Sequence, residues 1–307
     1  VIARCIKGYG FPGAGTNRAH NLPLAGNPRA DAEARRQFNE GARALFVPKA
    51  ELDAAAQAFA VHDAQERPRE SRHPLAMRSM PSPVLPEPSW APEGGASCAM
   101  EALDALFVEI VKANPDRRVR VGNPDELKSN HMGATLDLLR HRVNAPEPGA
   151  PEAVDGAVIT ALNEEAVIGA ALGNKGGLNL AVSYEAFAMK MLGALRQDII
   201  FARRQREIGA PPRWLSVALI ATSHTWENAK NEQSHQDPTL PEALLGEMAD
   251  TARVLFPIDA NSAAASLRSV YASHGQIACL VTPKRAVARL LSGARAQQAV
   301  ADGAALL

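Results

Sequence analysis

The sequence predicts an α/β fold, a parallel sheet with helices on both faces, preceded by a long extended linker. Three observations predict it. Short, mostly apolar runs at 178–182, 215–221 and 276–282 are separated by stretches of helical character. Polar clusters follow these runs at once, as expected where the strands of an open α/β sheet end and ligands collect. Upstream, Pro68, Pro74, Pro81, Pro83, Pro86, Pro88 and Pro92 crowd one span. Such a density excludes helix and central strand.

Taken in order, residues 1–8 read as a strand that runs into the Gly/Pro loop 8–15. Residues 27–65 are rich in Ala, Arg and Glu and predict surface helices. From about residue 96 the texture changes to strand–helix alternation. An amphipathic helix is expected over 100–113 and a strand over 118–122, ending in Asn-Pro-Asp. Asn163 is placed to cap a helix over 163–171 with Glu164 and Glu165 in its first turn. A strand at 178–182 and a long helix over 185–206 follow. Strands at 215–221, 253–257 and 276–282 then alternate with helices at 241–251, 262–273 and 285–292.

Lys+Arg and Asp+Glu balance at 33 each, so no global field draws the chain to nucleic acid or to a membrane surface. No apolar run reaches about 18 residues. Cys5, Cys98 and Cys279 are widely spaced and lack a CxxC pattern. That pattern of cysteines points to a reducing, cytoplasmic setting, with neither a disulfide scaffold nor a zinc site. The first residue is Val rather than Met, inside a strand-like run, which leads us to expect a piece of a longer polypeptide.

The densest polar cluster runs from Thr222 to Pro238, directly after the apolar run 214–221. It holds two histidines, two asparagines, a lysine and an aspartate. Further clusters lie at 123–130, 163–165 and 183–185, and Lys284-Arg285 follows the last strand. Right-handed crossovers would bring all of them to one edge of the sheet.

Several of these segments resemble a known family. Asp155-Gly-Ala-Val-Ile-Thr-Ala-Leu-Asn-Glu164, Val182-Ser-Tyr-Glu-Ala-Phe187, Thr222-Ser-His-Thr-Trp226, Ser234-His-Gln-Asp-Pro238 and Pro257-Ile-Asp-Ala-Asn261 occur in that order. Together they resemble the pyrimidine-binding domain of the phosphoketolases, enzymes of the transketolase-like superfamily that use thiamine diphosphate and Mg²⁺. Ile6-Lys-Gly-Tyr-Gly10 and Arg18-Ala-His-Asn-Leu-Pro-Leu24 resemble the end of the preceding diphosphate-binding domain. The resemblance implies a tail of that domain at 1–26, a helical and proline-rich interdomain linker at 27–95, and the pyrimidine-binding domain at 96–307.

The resemblance also implies roles. Glu164 matches the glutamate that hydrogen-bonds the cofactor's pyrimidine ring, and Tyr184 and Phe187 match positions beside the cofactor. Ser129, Asn231 and Lys284, with Tyr184, match positions that hold the sugar phosphate. A hydroxyl, an amide and an ammonium suit that ligand. His235 and His20 match active-site histidines suited to proton transfer, and His224 stabilises the loop or joins the site. The implied reaction cleaves xylulose 5-phosphate or fructose 6-phosphate with inorganic phosphate to acetyl phosphate and an aldose phosphate.

The chain departs from the family in four ways. Lys230-Asn-Glu-Gln-Ser-His235 stands where the family has His-Asn-Gly-Phe-Ser-His, and Glu164-Glu-Ala stands where it has Glu-His-Thr. The family's Gly-Asp-Gly…Asn motif for the Mg²⁺-diphosphate and its C-terminal domain have no counterpart here. The resemblance therefore implies that the metal ligands belong to a diphosphate-binding domain on another fragment or subunit, in a homodimer or higher oligomer. Two other readings stay open. One is a transketolase or 2-oxo acid dehydrogenase E1-like component, and the other a non-catalytic scaffold subunit.

Overall fold

The computed structural model describes residues 5–11, 13–16, 19, 24–65, 80–124, 127–224 and 232–306. The chain forms two compact units, Val1–Met77 and Arg78–Leu307. In the first, the strand expected over 1–8 is not seen at its described end. Residues 7–10 form turns, because Gly8 and Gly10 take left-handed backbone angles (φ 73° and 84°) that reverse the chain. Two helices follow, α1 (Ala32–Ala44) and α2 (Lys49–Ala64). Asp31 caps α1 by accepting a hydrogen bond from the Ala34 N–H at 2.8 Å. α2 buries none of its residues.

The second unit begins with the proline-rich segment 80–92, which has no regular structure and lies extended over the unit's surface. Its backbone is tied down by side chains. Asn114 both accepts from the Val84 N–H and donates to its carbonyl, and Asn261 does the same for Ala91. Met80, Leu85 and Trp90 pack against the core.

The core is a sheet of eight parallel strands: β2 (Val119–Gly122), β3 (His141–Arg142), β4 (Glu152–Ala153), β5 (Val158–Ile159), β6 (Leu178–Tyr184), β7 (Val217–Thr222), β8 (Ala252–Leu255) and β9 (Ile277–Val281). Their spatial order is β4-β3-β5-β2-β6-β7-β9-β8. The parallel sheet predicted from the sequence is thus the observed one. β7 and β9 are buried along their whole length, so their sequences carry no polar alternation.

Both faces are covered, as expected. On one lie α3 (Ala99–Ala113), α4 (Gly133–Leu139) and α10 (Ala260–Tyr271), with Phe107 and Tyr271 stacked at 6.1 Å between ring centroids. On the other lie α5 (Glu164–Gly173), α7 (Leu192–Glu207) and α9 (Thr239–Leu245). A fully buried side chain such as Leu103, Ile168 or Leu195 stabilises the fold by about 1.5–3 kcal/mol. Gly122 lets α5 approach the sheet, since a Cβ there would sit 2.7 Å from the Val167 carbonyl oxygen.

Three expectations need correction. The helix expected at 285–292 is instead β10 (Ala286–Ala288), paired antiparallel with β1 (Ala96–Cys98), and helix α11 comes later at Gly293–Asp302. Ser292 caps α11, and the two short strands satisfy each other's backbone groups. The long helix at 185–206 is broken into α6 (Glu185–Ala188), a 3₁₀ turn at Met189–Met191, and α7. The helix expected over 241–251 ends at Leu245. The two-residue strands β3, β4 and β5 carry no periodicity and were not anticipated.

Candidate active site

Parallel strands end on the same side, so the segments after β2, β5, β6, β7 and β9 share one edge of the sheet. From β2 the strand order runs one way through β5, β3 and β4, and the other way through β6, β7 and β9. Such a reversal opens a crevice at the carboxyl ends of the strands.

Glu164 enters this crevice as the first residue of α5, after β5. Asn163 caps the helix, accepting from the Ala166 N–H at 2.9 Å, and so fixes where the carboxylate starts. The helix N-terminus favours negative charge there. Glu164 is 8% exposed, and its Oε1 lies 3.5 Å from the Lys190 ammonium. Lys190 also stands 5.4 Å over the Phe187 ring.

An aromatic wall follows. Tyr184 ends β6, and Phe187 lies three residues on, in α6. Tyr184 meets Phe187 edge-on at 5.9 Å, and His235 lies 4.8 Å from Tyr184 and 5.0 Å from Phe187. Ser234 Oγ lies 2.6 Å from His235 Nδ1, which leaves Nε2 to face outward from that pair. Buried Glu185 accepts the Asp237 N–H at 3.0 Å and so ties the 234–238 segment to the end of β6. Burial, and then the Glu185 charge, push the Cys279 thiol up to about 12.

The other side of Tyr184 is polar. Its hydroxyl is 3.0 Å from Ser129 Oγ, and the Lys284 ammonium stands 5.0 Å over its ring. Ser129 comes from a 3₁₀ turn after β2, Lys284 from the loop after β9. The Lys284 carbonyl accepts from Cys98 Sγ at 3.3 Å.

Two further groups mark the floor. Asn123 donates to the Val182 carbonyl at 2.9 Å, but its buried Oδ1 finds no partner among the described residues, nor does the buried Thr222 hydroxyl. Ser223 takes a left-handed backbone angle (φ 51°) immediately before His224. Burial holds His224 below the ordinary histidine range.

Glu164, Tyr184, Phe187, His235, Ser129 and Lys284 therefore meet in one cluster. His20 and Asn231 lie outside the described residues, as do Lys230 and Trp226. Lys190 belongs to the cluster and was missed. The signal available was its spacing of three from Phe187, which puts both on one side of a helical turn. The cluster offers a buried carboxylate beside aromatic faces, a histidine, and a hydroxyl pair with an ammonium. The first part suits a flat heteroaromatic ring with a basic nitrogen, the last an anionic oxygen group.

Residues 101–273 match the family model of D-xylulose 5-phosphate/D-fructose 6-phosphate phosphoketolase. The whole chain is 28% identical to a probable phosphoketolase of Streptomyces avermitilis, of which it covers 41%. It is also 28% identical to a xylulose-5-phosphate phosphoketolase of Lactiplantibacillus pentosus, over 65% of this chain and 26% of that one. Among solved structures, a transketolase from Campylobacter jejuni matches with a TM-score of 0.55 at 12% identity, covering 94% of this chain and 43% of that one. A transketolase from Leishmania mexicana matches at 0.54 and 18%, covering 91% and 41%. These structures share the fold. The chain spans well under half the length of the curated relatives it matches.

Proposed function

Because the chain belongs to the D-xylulose 5-phosphate/D-fructose 6-phosphate phosphoketolase family, we propose that it supplies the pyrimidine-recognising half of a thiamine diphosphate-dependent carbon–carbon lyase. The reaction is the cleavage of a ketose phosphate with inorganic phosphate to acetyl phosphate, a shortened aldose phosphate and water. The observation that carries the proposal is the convergence of six matched residues from five segments on one edge of the sheet.

The residues fit the cofactor's ring half. Glu164 is a buried carboxylate beside an aromatic wall, placed to share a proton with a pyrimidine nitrogen. Tyr184 and Phe187 give that ring an apolar boundary and exclude water. The orphaned Asn123 and Thr222 oxygens are polar partners for a bound group. When bound, thiamine diphosphate supplies a nucleophilic carbon and an electron sink for the cleavage.

Toward the substrate, His235 holds or moves a proton at a sugar hydroxyl through Nε2, since Nδ1 is engaged by Ser234. Ser129, Tyr184 and Lys284 take the sugar phosphate, with two hydroxyls and one ammonium. The Mg²⁺-diphosphate ligands come from a diphosphate-binding region on another fragment or subunit, and the working unit is a homodimer or a higher oligomer.

The test co-expresses the chain with the polypeptide region that the longer relatives possess in addition. The complex receives thiamine diphosphate, Mg²⁺, phosphate and either xylulose 5-phosphate or fructose 6-phosphate, and acetyl phosphate is assayed. Formation of acetyl phosphate, lost in Glu164→Gln, is expected. Cofactor binding without acetyl phosphate from either sugar would remove the substrate assignment and keep the cofactor class.

A further inference from the structure

We propose that Cys98, Glu101 and His131 form a second, separate site that binds one divalent transition-metal ion, with Zn²⁺ as the ion its donors fit. The three residues come from distinct places. Cys98 ends β1 and stands at the N-cap of α3, Glu101 lies in the first turn of α3, and His131 follows the 3₁₀ turn Lys128–Asn130. One donor atom from each lies within 4.8 Å of the other two, and His131 Nδ1 is 3.2 Å from Glu101 Oε1. No CxxC-type spacing announces the site, because its third ligand is about thirty residues away in sequence.

Access and donor chemistry both favour a bound ion. Cys98 and Glu101 line a cleft of about 320 Å³ between the 87–91 segment, α3 and the start of α10. An ion can therefore enter from solvent and keep a fourth position for water, as three-ligand zinc sites do. A thiolate, an imidazole and a carboxylate suit a borderline-soft ion, whereas Mg²⁺ and Ca²⁺ ask for six or more oxygens. Glu101 and His131 are exposed, so small side-chain rotations close the remaining distance.

Binding has a defined proton balance. The Cys98 thiol releases its proton to solvent as the metal–sulfur bond forms, so affinity rises with pH. That thiol is also the donor to the Lys284 carbonyl, and His131 lies two residues from Ser129. Occupancy thus touches the two segments that carry Ser129 and Lys284, although the ion sits outside the cluster around Glu164.

The untagged 1–307 chain, stripped with a chelator, is titrated with Zn²⁺ by calorimetry and with Co²⁺ by absorption. One equivalent of each is expected, with a sulfur-to-cobalt charge-transfer band. Cys98→Ser should abolish the band, His131→Ala should weaken Zn²⁺ more than about tenfold, and Cys5→Ser should change neither. Circular dichroism establishes that each variant folds. A band that persists in Cys98→Ser, a band lost in Cys5→Ser, or no stoichiometric Zn²⁺ uptake overturns the site. If Cys98→Ser fails to fold, His131→Ala decides alone, and unchanged Zn²⁺ affinity in that variant overturns it.

Discussion

Lys190 Nζ lies 3.5 Å from Glu164 Oε1, so an exposed lysine reaches the buried carboxylate at the start of α5. An ion pair with one partner this exposed contributes about 0–1 kcal/mol to stability. Glu164→Gln is therefore expected to leave the urea midpoint nearly unchanged. In the reconstituted enzyme it should lower kcat by about 10²–10⁴ if the carboxylate manages a proton. A large loss of stability with only a small loss of kcat would make Glu164 structural.

Tyr184→Phe removes one hydroxyl from the pair with Ser129 and keeps the ring contacts to Phe187 and His235. One hydrogen bond is worth about 0.5–1.5 kcal/mol, so KM for the sugar phosphate should rise about 2- to 10-fold. Steady-state kinetics check this, and kcat should change less than KM.

Lys284→Ala deletes the ammonium above Tyr184. A charged hydrogen bond to phosphate is worth about 1.5–3 kcal/mol, which predicts a rise in KM of about 10- to 100-fold. Lys284→Arg should recover only part of it, since a planar fork does not replace a point donor. Kinetics with both ketose phosphates measure the effect.

In the core, the Tyr271 hydroxyl donates to the Asn179 carbonyl at 2.8 Å, at a fully buried position. Tyr271→Phe keeps the stacking on Phe107 and removes this one buried hydrogen bond. The loss should be about 0.5–1.5 kcal/mol, read from urea denaturation of the chain.

His224 gives a pH prediction. Burial lowers its pKa from 6.5 in the folded state, so in acid the unfolded chain takes up a proton that the folded chain does not. Its contribution is fully present above pH 6.5 and is lost as the pH falls below that value toward the folded pKa. The loss is at most about 1.4 kcal/mol per pH unit. Urea midpoints at pH 7.5 and 5.5 should differ less in His224→Gln than in the parent chain.

Much of this was legible in the sequence. The largely apolar runs of β6, β7 and β9 identify buried parallel strands, because a strand covered on both faces favours apolar side chains on both sides rather than alternation. The Asn163 cap and the acidic turn after it located the start of α5, and the family resemblance singled out Glu164 within it. The short elements were not legible. Two or three residues such as Ala286–Ala288 carry no periodicity, and only pairing with Ala96–Cys98 makes them a strand.

By itself, then, the sequence determined the sheet, the family resemblance and the residue types available to a site. These are local properties of burial, capping and motif order. The tertiary structure alone decided which of those residues meet. It set Ser129 against Tyr184, 55 positions apart, placed Lys190 beside Glu164, and drew Cys98, Glu101 and His131 together. Such meetings depend on strand order and crossover direction, which fix distances between segments that no local pattern encodes.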